Sequence, residues 1–357
     1  MRIVVTIQHP AHVHFFRHAI DELSAAGHDV FVFARENDLA VPLLEAYGIG
    51  HEVLAGPQAS LLGLARTQLT YEARLLARAR RIDPDVMTAI GGVAVSHVAP
   101  LVGAKSVVWI DNEGVSSHRL MAPFAHRIYT PATFRDDFGT SHRRYDGFQE
   151  LAYLHPDRFE PNPDRLEAFG IDPQEPYYVC RFKRWDALHD VGEAGLSRAG
   201  KRAIVSLLDG YGTVYVTSSG DLPPDLEAYE QPIPPTHVHD LLHFADGYAG
   251  DSATMATEAA LLGTPAVRIQ SFAGDGDMSN FVVLEDGYGL LQSTDDEREA
   301  LALLRAQCGD PQTGARWASR RAQLLSETVD VTTVLCRALT TDDPHQSLTP
   351  QRVPAAE

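Results

Sequence analysis

Lysine is nearly absent from this chain of 357 residues. Only Lys105, Lys183 and Lys201 stand among its 30 cationic side chains, against 48 carboxylates, for a net charge of −18. So acidic a surface excludes a nucleic-acid partner, because neutralising phosphates needs a basic footprint. It points instead to a salty, haloarchaeal cytoplasm in which the medium screens self-repulsion; an acidic protein of a GC-rich mesophile is the alternative. Cysteine is equally scarce. Cys180, Cys308 and Cys336 show no C-x-x-C spacing, which argues against a disulfide framework and a cysteine-built zinc site. No apolar run approaches the roughly 18 residues that span a bilayer. The chain enters a strand at once through Met1-Arg-Ile-Val-Val, without the pattern of a signal peptide, so a cytoplasmic location is expected. Gly-x-Gly-x-x-Gly is missing too, and with it the dinucleotide fingerprint.

What is present is globular: 44% hydrophobic and 22% charged residues, in a length that suits two domains. Short apolar strands alternate with helical periodicity at 3–7, 29–34, 53–54, 86–90, 107–110 and 127–130, with a long helix over 60–81. A second αβ series follows at 177–181, 198–208, 213–217 and 245–249, then helices over 299–308 and 314–339. Between the series, His155-Pro-Asp-Arg-Phe-Glu-Pro-Asn-Pro163 has the proline and charge of a linker. The reading is therefore α/β, two doubly wound domains over 1–158 and 164–340, and a polar tail over 341–357. Ligand loops are expected beyond the strand ends, facing a shared cleft.

The most informative stretch is Gly247 to Arg268. Gly250-Asp251-Ser252-Ala253-Thr254 opens a helix that Gly263 ends, and Pro265–Ile269 is a buried strand. Small residues at a helix start bring backbone N–H groups and the positive end of the dipole to an anion. Glu258 lies about one and a half turns inside the helix, where its carboxylate can accept from a ribose. A capped α/β helix, with Asp251 or Ser252 as N-cap, is the structural alternative. Arg181, Lys183 and Arg184 follow a strand in a chain short of cations, with His189 close behind, and suit a diphosphate.

In the first half, His12 sits near a helix start, placed to orient or deprotonate a substrate hydroxyl. Gly91 and Gly92 permit close backbone approach to a ligand or a tight turn. Asp111-Asn112-Glu113 follows a strand; Glu113 is the preferred carboxylate for chemistry, with helix capping assigned to Asp111 or Asn112. His14 and His18 share metal-ligand spacing but have no third ligand beside them, so no metal is expected. The helix over 60–81 carries Arg66, Arg74, Arg78, Arg80 and Arg81 against Glu72 alone, either a half-buried helix or one that touches a membrane surface.

Four ordered motifs, 9–16, 145–154, 181–190 and 250–265, resemble a family of unknown function with the GT-B fold, related to MurG-type glycosyltransferases and UDP-N-acetylglucosamine 2-epimerases. The resemblance spans nearly all of the chain except the tail. It implies two Rossmann-like domains and a nucleotide-diphosphate sugar as substrate, with no further cofactor. Asp251, Ser252 and Glu258 match the epimerase phosphate loop and its ribose-binding Glu, while Ala253 and Thr254 replace that loop's glycines. His12 falls where MurG-like enzymes place a histidine. The epimerase's catalytic Asp is replaced at Gly92, and its catalytic His has no counterpart near Arg181. The expectation is thus a glycosyltransferase of cell-surface glycan or glycolipid synthesis, with a lipid-linked or glycan acceptor. A 2-epimerase or a non-catalytic nucleotide-sugar-binding subunit is the alternative.

Overall fold

The structure is a computed structural model. It describes the chain except residues 38, 57–60, 116–117, 183–195, 219–221, 231–232, 271–276 and 342–357, and for residues 61–66 it describes the backbone alone. Two compact units emerge: Met1–Phe159 with the C-terminal segment from Glu327, and Glu160–Ser326.

The first unit runs β1 (Arg2–Ile7), α1 (Pro10–Ala25), β2 (Asp29–Arg35), α2 (Ala40–Ala46), β3 (His51–Ala55), α3 (Leu61–Ile82), β4 (Val86–Ile90), α4 (Val93–Leu101), β5 (Lys105–Trp109), α5 (His118–Met121), β6 (Arg127–Pro131), β7 (His142–Tyr145) and α6 (Leu151–Leu154). Its seven strands are all parallel, in the order β3-β2-β1-β4-β5-β6-β7. The chain starts at β1, builds outward through β2 and β3, then returns to the other side at β4. That reversal leaves a crevice beyond the carboxyl ends of β1 and β4. β1 is apolar on both faces, with Ile3, Val4, Val5 and Ile7 buried, as a helix-covered parallel sheet requires. α1 starts on Pro10, which has no N–H to leave unsatisfied, and His9 caps it by accepting from Ala11 N–H at 3.2 Å.

The second unit runs α7 (Asp164–Glu167), β8 (Tyr177–Phe182), α8 (Arg198–Leu208), β9 (Thr213–Ser218), α9 (Val238–His243), β10 (Gly247–Gly250), α10 (Ala253–Leu262), β11 (Ala266–Ile269), α11 (Ser279–Val282), β12 (Leu291–Thr294), α12 (Glu297–Gly309) and α13 (Thr313–Glu327). Its sheet is also parallel, ordered β12-β11-β10-β8-β9. Here the reversal falls between β8 and β10, so the loops after those two strands flank the second crevice. Cys180, Phe182, Ile204, Val216, Val267 and Leu304 pack between sheet and helices as the core.

The last helix among the described residues, α14 (Val331–Thr340), corrects the expected division at 164–340. It belongs to the first unit, where it packs on α1 and α6. Arg158 explains why. Its guanidinium donates to Asp330 at 2.6 and 2.9 Å, to Thr333 at 3.3 Å and to Glu22. Asp330 in turn caps α14 by accepting from Thr332 N–H at 3.0 Å. Burial opposes the Asp330 charge, yet the bonds from Arg158 and Thr333 outweigh it and hold the carboxyl below its ordinary range. A depressed carboxylate stabilises above its unfolded pKa, near 4, and the contribution is lost as pH falls through the folded value. Arg158→Met should therefore lower the unfolding free energy by about 3 kcal/mol at pH 7. Urea titration should show that deficit shrinking below pH 4 as Asp330 is protonated.

Candidate functional site

In the second unit the strand register sets Arg181 beside Gly250, so two segments expected to serve a diphosphate meet at adjoining strand ends. Gly250 is needed for packing. A Cβ there would lie 2.3 Å from the Arg181 carbonyl oxygen and 2.9 Å from Tyr248 Oη. The close approach expected toward a ligand is thus an approach to β8, sealed where Asp251 N–H donates to Arg181 O at 3.2 Å. Asp251 is fully buried. The Ser252 hydroxyl caps α10 by accepting from Met255 N–H at 3.4 Å, while its carbonyl accepts from Tyr248 Oη at 3.2 Å. Its side chain is therefore turned to capping, as the structural alternative had it. The helix itself gives the N–H groups of half-buried Ala253 and Thr254 no acceptor. These are the donors that α10 can offer an anion. Lys183, Arg184 and His189 lie outside the described residues.

Glu258 is only 4% exposed and accepts from His239 Nε2 at 3.2 Å. His239, on α9, was not foreseen. It lies in His237-Val-His-Asp-Leu-Leu-His243, a run with no spacing that points toward Glu258. A second support has no local sequence signal either. Gln270 Nε2 donates to Asp251 O at 2.7 Å, and Gln270 Oε1 accepts from Arg268 at 3.3 Å. Arg268 is fully buried, 3.7 Å over the Phe281 ring, and paired with Asp277. Burial lowers its pKa to about 10, which still leaves it charged at neutral pH. The turn that opens α10 is braced from behind by a buried cation.

In the first unit, β1, β4 and β5 are neighbours, so the loops holding His12, Gly91–Gly92 and Asp111–Glu113 follow three adjoining strands. Burial, aided by the charges of His9 and Arg35, lowers the His12 pKa to about 3. Gln8 N–H points at its Nδ1, 3.4 Å away, so the neutral ring carries its proton on Nε2. His12 is therefore built as a neutral donor, able to orient a hydroxyl and ill suited to deprotonate one. Gly91 and Gly92 both have positive φ, 69° and 49°. A Cβ on Gly92 would lie 2.7 Å from the Val108 methyls. The pair makes the tight turn into α4, and the close approach is to Val108.

The carboxylates also differ from expectation. Glu113 Oε1 accepts from Arg135 N–H at 2.7 Å, a bond that ties down a loop. Asn112 closes its own turn by accepting from Gly114 N–H at 2.9 Å; among the described residues, no helix begins on it or on Asp111. Asp111 is half-buried, and burial raises its pKa to about 6. His14 is packed against Tyr47 and Tyr153, and burial lowers the His18 pKa to about 4. Among the described residues, no helix is long and apolar enough to cross a membrane.

No protein-family model matches the chain, and no curated protein does. Solved structures match it along nearly its whole length. The spinosyn rhamnosyltransferase SpnG, solved with thymidine diphosphate, is 13% identical over 94% of this chain and 98% of its own, with a TM-score of 0.60. The spinosyn forosaminyltransferase SpnP is 16% identical over 96% and 100%, with a TM-score of 0.63. A candidate UDP-N-acetylglucosamine 2-epimerase of Listeria monocytogenes is 10% identical over 91% and 95%, with a TM-score of 0.64. At such identities the likeness is one of fold. The chain has the GT-B fold, two Rossmann-like domains each built on a parallel sheet.

Proposed function

We propose that this protein is a glycosyltransferase that takes a nucleoside-diphosphate sugar as donor. The observation that carries the proposal is the start of α10, set beside Arg181 at the β8/β10 reversal of a GT-B fold. In this reading the Ala253 and Thr254 N–H groups and the Arg181 guanidinium hold the diphosphate, and Glu258 accepts from the ribose. As the bond from the anomeric carbon to the diphosphate breaks, its electron pair leaves with the phosphate oxygen. Helix dipole and guanidinium together stabilise that charge, and the reaction asks for no separate cofactor. The acceptor hydroxyl bonds the anomeric carbon and gives its proton to a general base.

Asp111 suits that base better than Glu113 does. A pKa near 6 leaves it ionised at neutral pH yet more basic than an ordinary carboxylate. His12 Nε2–H would orient the hydroxyl. The acceptor we propose is a glycan or lipid-linked hydroxyl of cell-surface synthesis. On α3, Arg74 already donates to Leu54 O and Arg78 pairs with Glu52 at 2.6 Å, so among its described side chains Arg80 and Arg81, both exposed, are the ones on offer to a membrane surface.

Donor binding is the first test. In molar KCl, one of the UDP, GDP, CDP or dTDP sugars should raise Tm; ligand at a hundred times Kd adds about 2.7 kcal/mol. Glu258→Gln should weaken that binding tenfold or more, by roughly the loss of a charged hydrogen bond. Absence of a shift with every nucleotide sugar sinks the reading. Chromatography of the same incubations separates transfer from epimerisation, since an epimerase changes the free nucleotide sugar without an acceptor.

Asp111 gives two further expectations. The rate should rise with pH through about 6 as the carboxyl ionises, a limb lost in Asp111→Asn and kept in Glu113→Gln. Stability should move the opposite way. A carboxyl whose folded pKa is raised stabilises below its unfolded pKa, near 4, and loses that contribution as pH passes 6. Asp111→Asn should therefore match wild type at pH 4 and exceed it at pH 8 by at most about 3 kcal/mol. Denaturant titration at the two pH values checks this.

A further inference from the structure

Helix α9 has six residues, too few to persist alone, yet the structure fixes it at four points. The Leu241 carbonyl accepts from Tyr177 Oη at 2.8 Å, and the Leu242 carbonyl accepts from Thr264 Oγ1 at 2.6 Å. The Asp240 carboxylate, 1% exposed, accepts from Asn162 N–H at 2.8 Å and from Arg165 at 3.2 Å. The fourth point is His239, whose Nε2 meets Glu258 Oε1 at 3.2 Å across the packed α9 and α10. His239 is 2% exposed and Glu258 4%. Three anchors independent of Glu258 thus hold the backbone around one imidazole, and that imidazole bonds the carboxylate assigned to the donor ribose.

We propose that His239 is a positioning residue for ribose recognition: it fixes the rotamer of Glu258 and keeps it an acceptor for the 2′- and 3′-hydroxyls of the donor nucleotide. The assignment rests on the reading of Glu258 as the ribose ligand. A buried carboxylate that loses one of its donors can turn toward another partner, and that change of rotamer ends its use as a diol acceptor. A carboxylate offers about four lone-pair positions, so the bond from His239 to Oε1 does not by itself bar a further donor. Imidazole also suits a buried place, because it can donate at Nε2 while neutral and bring no unpaired charge into the interior.

The test removes the ribose hydroxyls from the ligand and the imidazole from the protein. Isothermal titration would compare UDP, GDP and CDP with their 2′,3′-dideoxy forms, and thymidine diphosphate with its 3′-deoxy form. The proteins are wild type, His239→Leu and His239→Gln. Wild type should prefer the hydroxylated form of its nucleotide by about tenfold or more. His239→Leu should lose that preference while binding the deoxy form as wild type does, and His239→Gln, which keeps an N–H donor, should recover part of it. A structural role alone would weaken both ligands equally, and that result overturns the proposal. So does an undiminished preference in His239→Leu. Failure of every nucleotide to bind wild type would instead bring down the donor-site reading, and the role of His239 with it. Should His239→Leu fail to fold, the proposal stands or falls on His239→Gln, whose preference must lie below that of wild type.

Discussion

Each sheet is parallel and its central strands are buried along nearly their whole length, as in β1, β8 and β10. Such a sheet has no solvated face on which to place polar chemistry. Polar groups must lie beyond the strand ends, and only where the winding reverses do two successive loops part far enough to admit a ligand. That constraint selects the loops after β1 and β4 in the first unit and after β8 and β10 in the second. It also explains why the glycines there answer to packing. Gly250 lets β10 lie against the Arg181 backbone, and Gly92 lets the turn into α4 clear Val108. Without those close contacts the strand ends would splay and the loops would lose their register.

Much of this was legible in the sequence wherever a local rule sufficed. The start of α10 combines a Ser cap with small residues, and its end carries a glycine at φ 85°. Both are decided within a few residues, so both could be read. β7 could not be. Its sequence is His-Arg-Arg-Tyr, with no apolar run, because it is an edge strand whose cations bond nearby carbonyls. Arg144 donates to Ala132 O and Asp136 O at 3.1 and 2.9 Å. Charged, short edge strands of this kind protect a sheet from further pairing and erase the periodicity that would announce them. The place of α14 was hidden for a different reason. It depends on Arg158 and Asp330, residues 172 positions apart.

The choice between Asp111 and Glu113 shows the limit most clearly. The two carboxylates stand two residues apart after one strand, and nothing local in the sequence marks the one that the fold desolvates. The fold separates them, one carboxylate accepting a backbone N–H from Arg135, the other desolvated. Desolvation destabilises the folded chain above pH 6, and a well-packed neutral residue would remove that penalty. A carboxyl kept there trades stability for basicity, which is the trade-off that makes Asp111 the carboxylate we propose as base.

Arg268 makes a related trade behind the turn that opens α10. Burying a cation is costly unless good geometry and several bonds compensate, and here one guanidinium meets each demand. Its face lies on Phe281, and its edge donates to Ser293 at 3.1 Å, to Gln270 and to Asp277. An ammonium could not stack and donate in one plane in this way. The bond from Gln270 to the Asp251 carbonyl then passes that rigidity to the turn that begins α10. The loop is small and glycine-flanked, a composition that alone would leave it loose. What holds its N–H groups in place is an arginine on the next strand.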